Sequence, residues 1–176
     1  MSNSLRLELS AEPASVGRAR HAIDELAERL RCDTVAVRTA VSELVGNCVS
    51  HAYIGLEPGP VIVLARLIRG RLVVTVADRG RGMQPRVDSP GLGLGLPLVS
   101  QLADDVRIDS GEQGAAISMG FECEAAAARE FRSGSADLAA DLRNELERAR
   151  QVLRRARERR PVRRRESQIS PVSARR

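Results

Sequence analysis

The chain has 176 residues, enough for one domain with a substantial core and too few for two of ordinary size, so an enzyme built from separate nucleotide and substrate domains is not expected. Hydrophobic residues make up 43% and aromatic residues only 2%, with no Trp, which leaves Val, Leu, Ile and Ala to build the core. The net charge is +5, and all 28 basic residues are Arg, which excludes a Walker phosphate loop with its lysine and any Schiff-base chemistry.

In chain order, Leu5, Leu7 and Leu9 alternate with Arg6 and Glu8, which predicts a strand with one buried face. Pro13 stands near the start of a helix, in which Val16, Ala19, Ile23, Leu26, Ala27 and Leu30 follow a helical period. Asp33 is the cap of a second helix that ends by Gly55. The runs VIVLARLI (61–68) and RLVVTVAD (71–78) are separated only by Arg69-Gly70 and read as a β-hairpin. GLGLGLPLVSQLA (91–103) passes from alternating glycines into a third helix, with Pro97 near its beginning. Strands around 106–109 and 115–122 complete the order β-α-α-β-β-α-β-β, an α/β (α+β) two-layer sandwich with a mixed, largely antiparallel sheet and helices on one face.

From Glu122 the composition favours helix. Leu142, Leu146, Ala149, Leu153 and Ala156 recur four and three apart over only two heptads, which leaves open a helix folded back on the domain or one paired with a second copy. The expected organisation is a domain over 1–122, a helical extension over 123–160 and an Arg-rich disordered tail over 161–176. Charge is divided the same way: residues 148–176 carry +10 and residues 1–147 carry −5. Such a tail suits nucleic acid or an acidic protein surface, or serves only as a solubilising end, since no aromatic side chain interleaves with the arginines.

Cys32, Cys48 and Cys123 are odd in number, far apart and without zinc-site spacing, and are expected to be reduced packing residues. The N-terminus has no uninterrupted apolar segment for export and no run approaches the ~20 residues needed to span a bilayer, so a cytoplasmic location is expected, with no membrane contact.

Three stretches interrupt this apolar pattern with chemistry. In SELVGNCVSHAY (42–53), Glu43, Asn47 and His51 are each four apart and stack on one side of the second helix, while Val37, Val41, Leu44, Val45, Cys48 and Ala52 gather on another. Taken alone, the polar side is either a solvated face or a working one. DRGRGM (78–83) sets Asp78 at a strand end before Gly80 and Gly82. A carboxylate there suits an exocyclic amino group, and glycines allow a flat ligand to approach the backbone. GLGLG leads into a helix whose free N–H groups favour phosphates, but it lacks the strand before it and the acid after it that a dinucleotide fingerprint requires.

Taken in order, ELVGN, DRGRGM and GLGLG resemble the N box and the two glycine boxes of the GHKL (Bergerat-fold) ATPases over roughly residues 5–122, and the chain is most similar to the anti-sigma-factor serine/threonine kinases of bacterial partner-switching systems. Only 42 residues precede Glu43, too few for the phosphoacceptor helix pair of a histidine kinase, and His21 reads as a surface helix residue.

The resemblance implies a Bergerat ATP-binding fold with ATP and Mg²⁺ as cofactors. Asn47 would ligate Mg²⁺, Asp78 would read adenine, Gly80, Gly82 and Met83 would line the base, and Gly91, Gly93 and Gly95 would shape the phosphate lid. Glu43 would be the catalytic base for a partner's serine. His51 matches the NxxxHA pattern of these kinases and is expected to pack or make a hydrogen bond; Arg79 and Arg81 are left between solvent and nucleotide. The partners implied are a sigma factor and a STAS-type anti-sigma antagonist, with a homodimer common among relatives. One departure stands out: the family usually carries Thr after the glycine opening its last strand, where this chain has Ala115 and Ala116. A lost hydroxyl there costs on the order of 1 kcal/mol of nucleotide binding, so an ATP-gated binding module without phosphotransfer is the competing expectation.

Overall fold

The computed structural model describes residues 3–82, 95–111, 113–124 and 135–158. Strands β1 (Ser4–Ser10), β2 (Pro60–Ile68), β3 (Arg71–Asp78), β4 (Asp105–Gly111) and β5 (Gly114–Glu122) form one sheet in the order β1-β2-β3-β5-β4. Every neighbouring pair is antiparallel. Arg69 and Gly70 both take positive φ in the turn between β2 and β3, the geometry that a two-residue hairpin needs to match strand twist.

Helices α1 (Pro13–Leu30) and α2 (Thr34–Asn47) cover one face. Pro13 opens α1, and Arg31 ends it in the left-handed conformation with its N–H on the carbonyls of Ala27 and Glu28. Asp33 caps α2 as its position predicts, accepting the Ala36 N–H at 3.0 Å. Ile23, Leu26, Val37, Val41, Leu44 and Val45 pack there against Val61, Val63, Leu72, Val74 and Met119 of the sheet. Helix α3 (Gly95–Leu102) adds Val99 to the same core. Pro97 fits in its first turn because the N–H groups there have no intrahelical acceptor in any case.

The second face of the sheet is not left to solvent. Helix α4 (Ser135–Glu158) lies across it, burying Leu146, Ala149 and Leu153 against Ile62, Leu64, Ala77 and Ala116, and Leu142 against Val73. This adds a third layer to the expected two, in which residues 135–158 of the expected extension pack on the sheet. Polar groups at this interface are matched: Thr75 and Ser118 share a 2.8 Å hydrogen bond across β3 and β5, and the buried Glu145 carboxylate meets Arg66 at 3.2 Å and Arg148 at 3.5 Å.

The cysteine expectation is corrected. Cys32 and Cys123 form a disulfide, and Cys48 alone is free and buried. The fold brings the exit of β5 beside the turn after α1, where the backbones of Cys32 and Cys123 bridge and the Glu124 N–H donates to the Arg31 carbonyl at 3.0 Å. The two residues are 91 positions apart, and only the completed sheet makes them neighbours.

Candidate functional site

The site is built where the end of β3 meets the end of α2. Side chains alternate along β3, so Leu72, Val74 and Val76 face the α1–α2 layer and Asp78 continues that row. Its carboxylate is buried, at 6% exposure. Oδ1 accepts the Gly80 N–H at 2.8 Å and Oδ2 faces the Cys48 thiol at 3.6 Å. Burial lifts the Asp78 carboxyl above its ordinary value, while the Gly80 amide, the Cys48 thiol and the Ala115 amide oppose that rise. Burial, with the Asp78 charge beside it, drives the Cys48 thiol well above its own ordinary value, so it remains an S–H donor.

The chain needs an unusual local conformation to reach this arrangement. After Asn47, α2 loosens into one π-helical turn, Cys48–Ala52, a widening found often at functional sites. The turn presents the Ala52 carbonyl to the loop after β3, where the Arg81 N–H donates to it at 2.9 Å. A Cβ on Gly80 would overlap that same carbonyl, and one on Gly82, which holds φ +71°, would overlap the carbonyl of Gly111. The close approach these glycines allow is thus made first by the protein's own backbone.

Tyr53 locks the corner. Its hydroxyl donates to the Pro60 carbonyl at 2.6 Å and accepts the Arg79 N–H at 2.9 Å, and its ring lies where a side chain on Gly59 would be. Burial pushes this phenol up from its ordinary value.

On α2, Glu43 and Asn47 are half-buried one turn apart, and neither makes a side-chain hydrogen bond or ion pair among the described residues. Asn47 directly precedes the Cys48 that touches Asp78, so amide and carboxylate belong to one locality. Gly95 opens α3, which packs against α2. His51 is exposed in the π turn, and the Arg81 guanidinium reaches the Ile54 carbonyl at 3.3 Å. His21 lies on the surface with Glu25 at 3.4 Å. Met83, Gly91, Gly93 and the tail 161–176 lie outside the described residues.

Sequence reasoning assigned Cys48 and Ala52 to packing and gave Tyr53 no role. The available signal was positional: each lies within six residues of Asn47 on a helix that must stop before Gly55.

No cluster of three or more His, Cys, Asp or Glu that could hold a metal occurs among the described residues. An asparagine amide oxygen suits a hard cation that takes its other ligands from phosphates and water, so the donor set fits magnesium arriving with a nucleotide and not a resident protein-caged ion. A cavity of about 330 Å³ adjoins this strand end, lined by Asp78 and Arg79, by Gly111, Gln113 and Gly114 between β4 and β5, and by Arg150, Leu153 and Arg154 of α4. Two of its arginines are matched, Arg150 with Asp109 and Arg154 with Glu147.

Residues 9–121 match the histidine kinase-like ATPase domain family. A serine-protein kinase RsbW of Bacillus velezensis is 31% identical over 133 residues, which cover 65% of this chain and 82% of that protein. One of Listeria innocua is 30% identical over 126 residues, covering 61% and 80%. An anti-sigma F factor of Caldanaerobacter subterraneus is 29% identical over 85 residues, covering 42% of this chain and 59% of its own length. Among solved structures, the RsbU and RsbW domains of a Mycobacterium tuberculosis protein superpose with a TM-score of 0.56 at 24% identity, over 68% of this chain and 32% of that one, which is a likeness of fold. Among the described residues, no helix is long and apolar enough to cross a membrane. The chain belongs to the histidine kinase-like, GHKL-type ATPase domain family, on the side of its RsbW-type serine-protein kinases and anti-sigma factors.

Proposed function

We propose that this protein binds Mg·ATP over α2 and phosphorylates a serine of an anti-sigma antagonist, and that it also binds a sigma factor, as a partner-switching regulator of transcription in the cytoplasm. The observation that carries the reading is the buried Asp78 carboxylate held against the end of the helix that bears Glu43 and Asn47. An ionised carboxylate only accepts hydrogen bonds and has about four acceptor positions. Those not used by the Gly80, Cys48 and Ala115 donors suit the amino group of adenine, and reject the carbonyl that guanine carries in its place.

Asn47 would offer its amide oxygen to magnesium, which when bound would neutralise phosphate charge. Glu43, one turn away, accepts the proton of the partner's serine hydroxyl as that oxygen bonds to the γ-phosphorus. The bond from this phosphorus to the β–γ bridging oxygen breaks, and ADP leaves. Gly80 and Gly82 shape the wall beside the base, and the first turn of α3, opened by Gly95, turns its free N–H groups toward phosphate.

The names of the relatives support the kinase reading, and γ-labelled ATP tests it. Transfer of label to a serine of an antagonist protein, lost in Glu43→Gln, is the expected result. Ala115 and Ala116, both buried and without hydroxyls, favour the second reading, an ATP-gated binding module. Binding of the antagonist without label transfer, equally regulated by nucleotide in Glu43→Ala and in the native chain, would establish that module instead.

A further inference from the structure

The contact between Cys48 and Asp78 lies outside every role assigned above to the nucleotide machinery. Cys48 and Asp78 are both buried, on different elements, 30 residues apart, with Sγ 3.6 Å from Oδ2. The second oxygen, Oδ1, is held by the Gly80 N–H at 2.8 Å. A carboxylate anchored on one oxygen alone keeps a rotation about its Cβ–Cγ bond. A donor on the other oxygen stops that rotation and sets the plane in which the remaining lone pairs point.

We infer that Cys48 is a positioning and specificity residue, whose thiol holds the Asp78 carboxylate in the plane that accepts an adenine amino group. The inference rests on the reading of Asp78 as the base-recognising residue and adds to it the source of its orientation. The location of Cys48 supports this. It stands at the first position of the π turn, directly after Asn47, so the thiol that meets Asp78 and the Ala52 carbonyl that meets the loop after β3 come from one turn. Ala52 in turn fixes the loop that carries Gly80. Two of the three donors to the carboxylate are therefore referred to the same turn of α2, Cys48 directly and Gly80 through its loop, while the third, the Ala115 amide, comes from β5. A purely apolar side chain at 48 would fill the same volume and leave Oδ2 without this donor.

The native chain and the Cys48→Ser, Cys48→Ala, Cys48→Val and Asp78→Asn variants are titrated calorimetrically with Mg·ATP and Mg·GTP, and their thermal midpoints are recorded alongside. Cys48→Ala and Cys48→Val are expected to weaken ATP binding by about fivefold, the scale of one ordinary hydrogen bond, since a thiol is a weak donor, and to narrow the preference for ATP over GTP. Cys48→Ser keeps a donor and is expected to restore both. If Cys48→Ala and Cys48→Val lower the thermal midpoint but keep native ATP affinity and native base preference, Cys48 only packs and the inference is overturned. If Asp78→Asn itself binds ATP as the native chain does, the reading of Asp78 fails first, a result distinct from a failure confined to position 48.

Discussion

Gly80 packs its α-carbon against the carbonyl of Ala52, so that the loop after β3 and the π turn after α2 are in direct backbone contact. A methyl group at this position meets a backbone atom, not the movable end of a side chain, and the two segments must separate. Gly80→Ala is expected to cost about 1–3 kcal/mol, as overpacking does, read as a lower urea midpoint. Nucleotide affinity should fall further than in a surface Gly→Ala control such as Gly17→Ala, where a Cβ meets nothing.

Asp78 is a place where stability and the proposed function oppose each other. Burial raises its carboxyl above the ordinary value, so the folded chain keeps that proton to higher pH than the unfolded chain does. The stability it contributes is fully present below the unfolded value and is lost as pH rises through the folded value. Asp78→Asn removes this loss. The variant is expected to melt at higher temperature than the native chain at pH 7, with the difference shrinking as pH falls below the ordinary carboxylate range, while ATP binding is abolished. Melting curves at several pH values, with calorimetry at pH 7, check both halves.

Much of this arrangement was legible from local signals, because local physics produces it. Asp33 caps α2 through its own side chain, Arg69-Gly70 closes a hairpin whose strands flank it directly, and Glu43 and Asn47 share a helix side by spacing alone. What escaped depends on the assembled sheet. Cys32 meets Cys123 only once β5 has paired with β3 and its exit reaches the turn after α1. Cys48 meets Asp78 only because the end of β3 is brought against the end of α2, a contact between elements 30 residues apart that spacing along one helix does not give. The third layer did leave a trace: VIVLARLI and RLVVTVAD are nearly continuous apolar runs, the pattern of strands buried on both faces. An alternating pattern would have marked a sheet open on one side.

Glu43 and Asn47 separate binding from chemistry. In Glu43→Gln the volume and the helix are kept and a proton acceptor is lost, so ATP affinity is expected to stay within about twofold while label transfer to the antagonist falls by about 10²–10⁴. Asn47→Ala removes the oxygen proposed for magnesium, so its defect should appear in the magnesium dependence of nucleotide binding. A metal titration at fixed ATP distinguishes the two variants.

The disulfide closes a span of 91 residues, and restricting so long a loop in the unfolded chain gives an expected contribution of about 3–5 kcal/mol. Cys32→Ser and Cys123→Ser should therefore melt lower than the native chain in oxidising buffer. A reductant should lower the native midpoint to theirs and leave theirs unchanged. Equal midpoints for all three proteins with and without reductant would show the thiols unpaired in solution.

Helix α4 is tied to the sheet by both apolar and charged contacts, and the two respond differently to substitution. Leu146 is buried against the outer face of the sheet, so Leu146→Ala is expected to cost about 2–5 kcal/mol, the range for a cavity in a packed core. Arg66→Met acts through charge. It leaves the buried Glu145 carboxylate with Arg148 at 3.5 Å as its remaining ion-pair partner, and because Arg66 is itself partly exposed the cost is expected nearer to about 1–3 kcal/mol. Urea denaturation of the three proteins measures both costs directly, and an Arg66→Met chain as stable as the native one would mean that the Arg66–Glu145 ion pair contributes nothing to holding α4.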